Sequence, residues 1–188
     1  MTAPAAGLVV QPIGVLRTSQ RMHHDAPRQS GLGRGSDGVL ELRQGLQNGL
    51  QDLAGFSHVW LLFWCHLARG SRLQVMPPRD VRKRGVFATR APQRPNPIGL
   101  SCVRLVRIEK RKLFVADHDL LDGTPVLDVK PYLPYCDSVP AAHIGYVAHL
   151  DPAAGDHRRW WEEKDVPPPR ARTARRADGP PINSGSRR

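Results

Sequence analysis

Acidic residues are scarce in this chain. Its 188 residues hold 17 Asp and Glu against 28 Lys and Arg, a formal net charge of +11. Arginine far outnumbers lysine, and its planar fork of donors suits phosphate. Such a balance points to nucleic acid first and to an anionic surface second. An Arg- and Ala-rich genome is the plainer explanation, and it weighs more for the C-terminal tail than for the core. Cysteine is also scarce: Cys65, Cys102 and Cys136 lie far apart and form no CxxC. That argues against a disulfide framework or a zinc ribbon and fits a reducing compartment. Cys65 and Cys102 sit in apolar runs and read as small core residues. No apolar run reaches membrane-spanning length. The opening MTAPAAGLVV lacks a basic segment followed by a long apolar one, so no signal peptide is expected and the expected compartment is the cytoplasm.

Long helical periodicity is missing too. Residues 8–17 read as a first strand, residues 18–38 as a long polar loop, and Val39–Leu42 as a short strand. Leu46, Leu50 and Leu53, spaced by four and three, predict a short helix over 44–53. Ser57–His66 reads as a buried strand and residues 67–84 as an Arg- and Pro-rich loop. Further strands are predicted at 86–89, 100–109, 113–119 and 126–129, the last two separated by an Asp122-Gly123 turn. Many short strands and almost no helix predict an all-β sandwich or barrel with one or two short helices. The domain is expected over residues 7–150, with a terminal extension at 151–165 that includes a helical turn near 158–164. Residues 166–188 are Pro- and Arg-rich with almost no apolar side chain, so a disordered tail is expected.

Two apparent motifs fail their context tests. Gly33-Arg34-Gly35-Ser36-Asp37-Gly38 matches GxGxxG, but it follows a polar loop and precedes a strand. A dinucleotide site needs the reverse order, with a helix N-terminus for the pyrophosphate. His23-His24-Asp25 lacks a third partner at ligand spacing, so no metal site is predicted.

The informative stretch is TRAPQRPNPIGLS, residues 89–101. Proline fixes its own φ and restricts the residue before it, so Arg94 and Asn96, each preceding a proline, are pre-set in an extended shape. A preorganised loop loses less entropy on binding. Further polar groups stand in loops or at strand ends: Pro27-Arg28-Gln29, His66, Pro77-Pro78-Arg79, Arg90, and Asp119 to Lys130 with three carboxylates and a lysine. Taken singly, each has a structural explanation, since Asp-Gly is a turn former and surface arginines are common. Their density in rigid loops points to a site.

These segments carry a resemblance. Pro27-Arg28-Gln29, GFSHVWLLFWCH, Pro77-Pro78-Arg79, GVFATRAPQRPNPIGLS and DLLDGTPVLDVKPYLPY are similar to the TsaA-like family of TrmO-type tRNA methyltransferases, from about Gly7 to Asp137. The resemblance implies a β-barrel-like fold, a homodimer, S-adenosylmethionine, and N6-methylation of threonylcarbamoyladenosine at position 37 of tRNA, in the anticodon loop. It implies cofactor contacts from Pro27, Arg28, Gln29, His66, Leu67, Arg90, Leu100, Asp119, Leu120, Leu121 and Asp122. Ala91 departs from the family's usual serine, and Cys65 from a frequent aromatic. The basic tail stands where some members continue into a second domain.

The residue chemistry runs alongside. Asp119 and Asp122 suit the ribose or ammonium of the cofactor, and Arg28 or Arg90 its carboxylate. The urea-like substrate N6 is a poor nucleophile, so a base or strong acceptor would help. His66 and Asp128 are both candidates. Arg79, Arg94, Asn96 and Lys130 are candidate RNA contacts. Tyr132 and Tyr135 suit base stacking, with packing as an equal alternative. Competing readings are a non-catalytic RNA-binding module, which leaves the carboxylates unexplained, and methyl transfer to another small or RNA substrate. A doubly wound enzyme using the Gly33 loop is opposed by the lack of helices.

Overall fold

The structure, a computed structural model, describes residues 9–32, 35–78 and 80–150. Its strands are β1 (Gly14–Thr18), β2 (Asp37–Leu42), β3 (His58–Trp64), β4 (Gln74–Val75), β5 (Arg84–Gly85), β6 (Ile98–Glu109), β7 (Lys112–Ala116) and β8 (Thr124–Pro131). A single helical turn, α1, covers Pro134–Asp137. Six strands close a barrel in the order β1-β2-β7-β6-β3-β8, with β8 returning to β1. The predicted all-β barrel with very little helix is what forms.

The twelve-residue β6 makes closure possible. Its first half, from Ile98 to Arg104, pairs with β3, and its second half, from Arg104 to Glu109, pairs with β7. A register shift between Leu105 and Arg107 bends the strand between its two partners, as a bulge does. Alternation then fills the interior. Leu16, Leu40, Val59, Leu61, Val103, Leu113, Val115 and Val126 point inward and are almost wholly buried. Burying each such side chain contributes roughly 1.5–3 kcal/mol.

Several local expectations are corrected. The first strand begins at Gly14. The Leu46/Leu50/Leu53 spacing gives no α-helix but two 3-10 turns, Gln47–Leu50 and Leu53–Gly55. Residues 86–89 are not a strand: Val86–Ala88 is a 3-10 turn. The Val86 carbonyl there accepts from the Thr89 amide, the Thr89 hydroxyl and Arg94 Nη1, which closes the chain on itself. Cys65 and Cys102 are half-buried rather than core, because Cys102 lies on the outward side of β6 between inward Ser101 and Val103. The extension at 151–165, the tail and Arg79 lie outside the described residues.

Candidate active site

Antiparallel pairing sends the end of β1, the end of β3, the end of β7 and the start of β8 to one mouth of the barrel. The loops that leave there carry most of the predicted cofactor residues.

Ser101, on β6, is nearly fully buried and donates its hydroxyl proton to Asp119 Oδ1 at 2.5 Å. Burial pushes the Asp119 carboxyl above its ordinary value, while the Ser101 hydroxyl and the Ser30 amide pull it down. Cys65 feels the charge of both Asp119 and Arg94, so the end of β3 reaches the same place. Its amide donates to the Pro97 carbonyl at 2.7 Å, docking the Pro-rich loop on the mouth. Arg90 donates to Gln29 Oε1 across the gap between two loops. His66 stands beside Asp122 and Gly123: an added Cβ at Gly123 would lie 3.9 Å from its Nε2. Burial holds the His66 pKa below its ordinary value, and the Asp122 charge pulls it back up. The arrangement presents a half-buried carboxylate, a neutral-leaning imidazole and an amide–guanidinium pair to one opening.

Other predicted residues take different roles. Asp122 is engaged within the chain: Oδ1 accepts the Thr18 amide at 3.1 Å, and Oδ2 pairs with Arg21 at 3.2 Å. It ties β1 to the loop before β8. Leu120 is turned into the core, only 2% exposed, so its side chain does not line the mouth. Leu121 uses its carbonyl to accept the Thr124 hydroxyl at 2.7 Å. Pro27 and Arg28 are half-buried in the loop after β1, while Leu67 and Leu100 are exposed at the rim.

The predicted RNA set divides. Arg94 directs Nη1 at the carbonyls of Val86, Thr89 and Ala91, at 3.0, 2.8 and 3.4 Å. That makes it a clamp for its own loop. Asn96 is exposed beside it. Lys130, Tyr132 and Tyr135 lie at the other end of the barrel. Tyr132 packs 5.7 Å from Trp60, centroid to centroid, and Tyr135 is 85% exposed. Asp128 also leaves the predicted acidic cluster. It sits opposite Leu62 on the wall, and its Oδ2 pairs with Lys130 at 2.7 Å.

The sequence reading missed Ser101 and His118. A lone hydroxyl at an inward position of LSCVRLV was the available signal for the first. His118 is fully buried, and its Nδ1 accepts the Leu120 amide at 3.2 Å. Its Nε2 lies against Gly38 without a partner in hydrogen-bond geometry. Burial lowers its pKa, outweighing the nearby Asp37 carbonyl. No signal in a single sequence separates such a histidine from a surface one.

Fold and site together define a small closed β-barrel with a polar ligand site at one mouth. Residues 15–138 match the family described as tRNA-methyltransferase O N-terminal domain. A tRNA (adenine(37)-N6)-methyltransferase of Escherichia coli K12 is 42% identical over 77% of this chain and 65% of its own length. A probable S-adenosyl-L-methionine-binding protein of Pyrococcus abyssi is 41% identical over 79% of this chain and 83% of its own. The crystal structure of TrmO from Pseudomonas aeruginosa superposes with a TM-score of 0.67 at 42% identity, covering 79% of this chain and 67% of that one. The chain belongs to the tRNA-methyltransferase O N-terminal domain family. It spans less than two thirds of the Escherichia coli relative's length.

Proposed function

We propose that this protein transfers the methyl group of S-adenosylmethionine to N6 of threonylcarbamoyladenosine at position 37 of tRNA. The observation that carries the reading is the convergence of Gln29–Arg90, Ser101–Asp119 and His66 on one barrel mouth, in a chain of this family. Bound S-adenosylmethionine supplies an electrophilic sulfonium methyl. The N6 lone pair forms the new C–N bond as the C–S bond breaks, leaving the thioether, and the N6 proton departs. Asp119 is placed to accept from a ribose hydroxyl or the ammonium, and Arg90 to pair with the carboxylate. Much of the acceleration in such an in-line displacement is alignment, worth roughly 7–11 kcal/mol for well-oriented partners. His66 is favoured over Asp128 for the departing proton, because the Asp128 carboxylate is already paired with Lys130.

The protein acts as a homodimer in the cytoplasm. Support for association is the apolar outer wall at the mouth: Trp64, Ile98, Leu67 and Leu100 are all exposed there.

Incubating the full chain with methyl-labelled S-adenosylmethionine and tRNA carrying threonylcarbamoyladenosine tests the reading. Label in the N6-methylated nucleoside after digestion is the expected result. Cofactor binding with no label in any nucleoside would overturn it. Sedimentation reports the dimer.

A further inference from the structure

The barrel carries an appendage that its own closure does not use. Among the described residues, strands β4 and β5 pair only with each other, Gln74 with Gly85 and Val75 with Arg84. Around them, among the described residues from 69 to 84, stand five cations and one carboxylate. The carboxylate, Asp80, is nearly buried and holds Arg84 at 2.6 Å. Arg84 also covers the Tyr146 ring, 4.4 Å from its centroid. The other four, Arg69, Arg72, Arg82 and Lys83, are exposed and form no ion pair among the described residues. Arg82 and Lys83 lie between β4 and β5, and Arg69 and Arg72 in the segment leading into β4; these like charges repel, and no ion pair among the described residues offsets that.

The appendage is held in place. The Arg72 amide donates to the Gln93 carbonyl at 3.1 Å, and the Val86 amide to the Leu73 carbonyl at 2.9 Å. Through Gln93 it joins the loop whose Arg90 meets Gln29. The cations therefore flank the ligand mouth on a braced element. Leu73, Val81 and Phe87 stand exposed among them.

We infer that Arg69, Arg72, Arg82 and Lys83, around the β4–β5 hairpin, form the docking surface for the phosphate backbone of the tRNA. This rests on the methyl-transfer reading above. A nucleoside delivered to the mouth brings its flanking phosphates past the rim, and here the rim is cationic. Phosphate contacts fix register and orientation without reading sequence. Arg94 and Lys130 are engaged within the chain, whereas these four form no ion pair among the described residues.

The test replaces all four in the full chain by glutamine, as Arg69→Gln, Arg72→Gln, Arg82→Gln and Lys83→Gln together. Affinity for tRNA is read at several salt concentrations, and S-adenosylmethionine affinity by calorimetry. The expected result is at least tenfold weaker tRNA binding at low salt. The slope of log affinity against log salt becomes shallower by about 0.7–0.9 for each phosphate that is no longer neutralised. Cofactor affinity stays unchanged. Slopes and affinities that coincide with those of the parent protein overturn the inference, even if the parent methylates tRNA. Loss of binding to phosphatidylserine vesicles with unchanged tRNA binding also overturns it, in favour of an anionic lipid surface. A parent that transfers no methyl group but loses tRNA affinity on substitution sinks the catalytic reading and keeps this one. Acylation of Lys83 in the unmutated chain gives a readout independent of folding: tRNA should protect it, and full reactivity in the complex counts against the inference.

Discussion

The Ser101 hydroxyl donates to Asp119 Oδ1 across 2.5 Å, joining the middle of β6 to the loop between β7 and β8. This bond opposes burial, which drives the carboxyl toward its neutral form. In Ser101→Ala the Asp119 pKa therefore rises further, and the carboxylate is lost at a higher pH. Cofactor affinity of that variant should fall away on acidification earlier than in the parent protein. At neutral pH, Asp119→Asn should weaken S-adenosylmethionine binding at least tenfold, about 1.4 kcal/mol, while the far-ultraviolet spectrum is retained. Calorimetry across pH checks both; unchanged affinity in folded Asp119→Asn removes Asp119 from the cofactor site.

His66 should set the acid limb of the reaction. Its competent form is the neutral imidazole, and burial lowers its pKa. The rate should be flat at neutral pH and fall only below the ordinary histidine range, as the ring takes up a proton. His66→Gln should lower kcat by about 10²–10⁴-fold with a smaller change in cofactor affinity. If the loss follows Asp128→Asn instead, the base is Asp128.

Arg94 should behave as a loop clamp rather than a tRNA contact. All three carbonyls are met by one nitrogen, Nη1, which an alanine lacks. Arg94→Ala should cost about 1.5–3 kcal/mol of stability and weaken cofactor binding, with the salt slope of tRNA binding unmoved. Replacing Pro95 and Pro97 together by alanine should lower activity more than the melting temperature, because preorganisation is the quantity lost. A steep melting loss with full activity in the folded fraction would make both prolines merely structural.

Gly99 should tolerate no side chain while Phe63 is present. The Phe63 ring lies over it, with ring atoms 2.2, 2.3 and 2.9 Å from where a Cβ would stand. Gly99→Ala should destabilise by about 1–3 kcal/mol through overpacking, read by chemical denaturation. Adding Phe63→Leu should recover part of that loss. Additive effects in the double variant would mean that the two residues do not press on each other.

Much of this protein follows from short-range rules. The alternation in VLEL, HVWLLFW and LSCVRLV reads as strand because side chains on a pleated backbone point to opposite faces. Asp122-Gly123 reads as a turn because glycine accepts the positive φ of 78° found there. The Pro-rich stretch reads as a stiff loop from ring geometry alone, and the barrel class follows from many short strands without helices. The resemblance to its family is visible in the same segments.

What needed the folded chain was allocation. Val86–Ala88 has the composition of a strand, yet after the Val86 amide meets Leu73 it turns back under the donors of Thr89 and Arg94. Asp119, Asp122 and Asp128 look alike along the chain, but one is bound by Ser101, one is tied to Thr18 and Arg21, and one is held by Lys130. Arg94 and Arg72 look equally available until the first is seen bound to three carbonyls. A strand's local shape depends on its own sterics, which the neighbouring residues carry. Which carboxylate is desolvated, and which cation is left free, depends on partners brought together by ring closure from far along the chain: Thr18 with Asp122, Gln29 with Arg90.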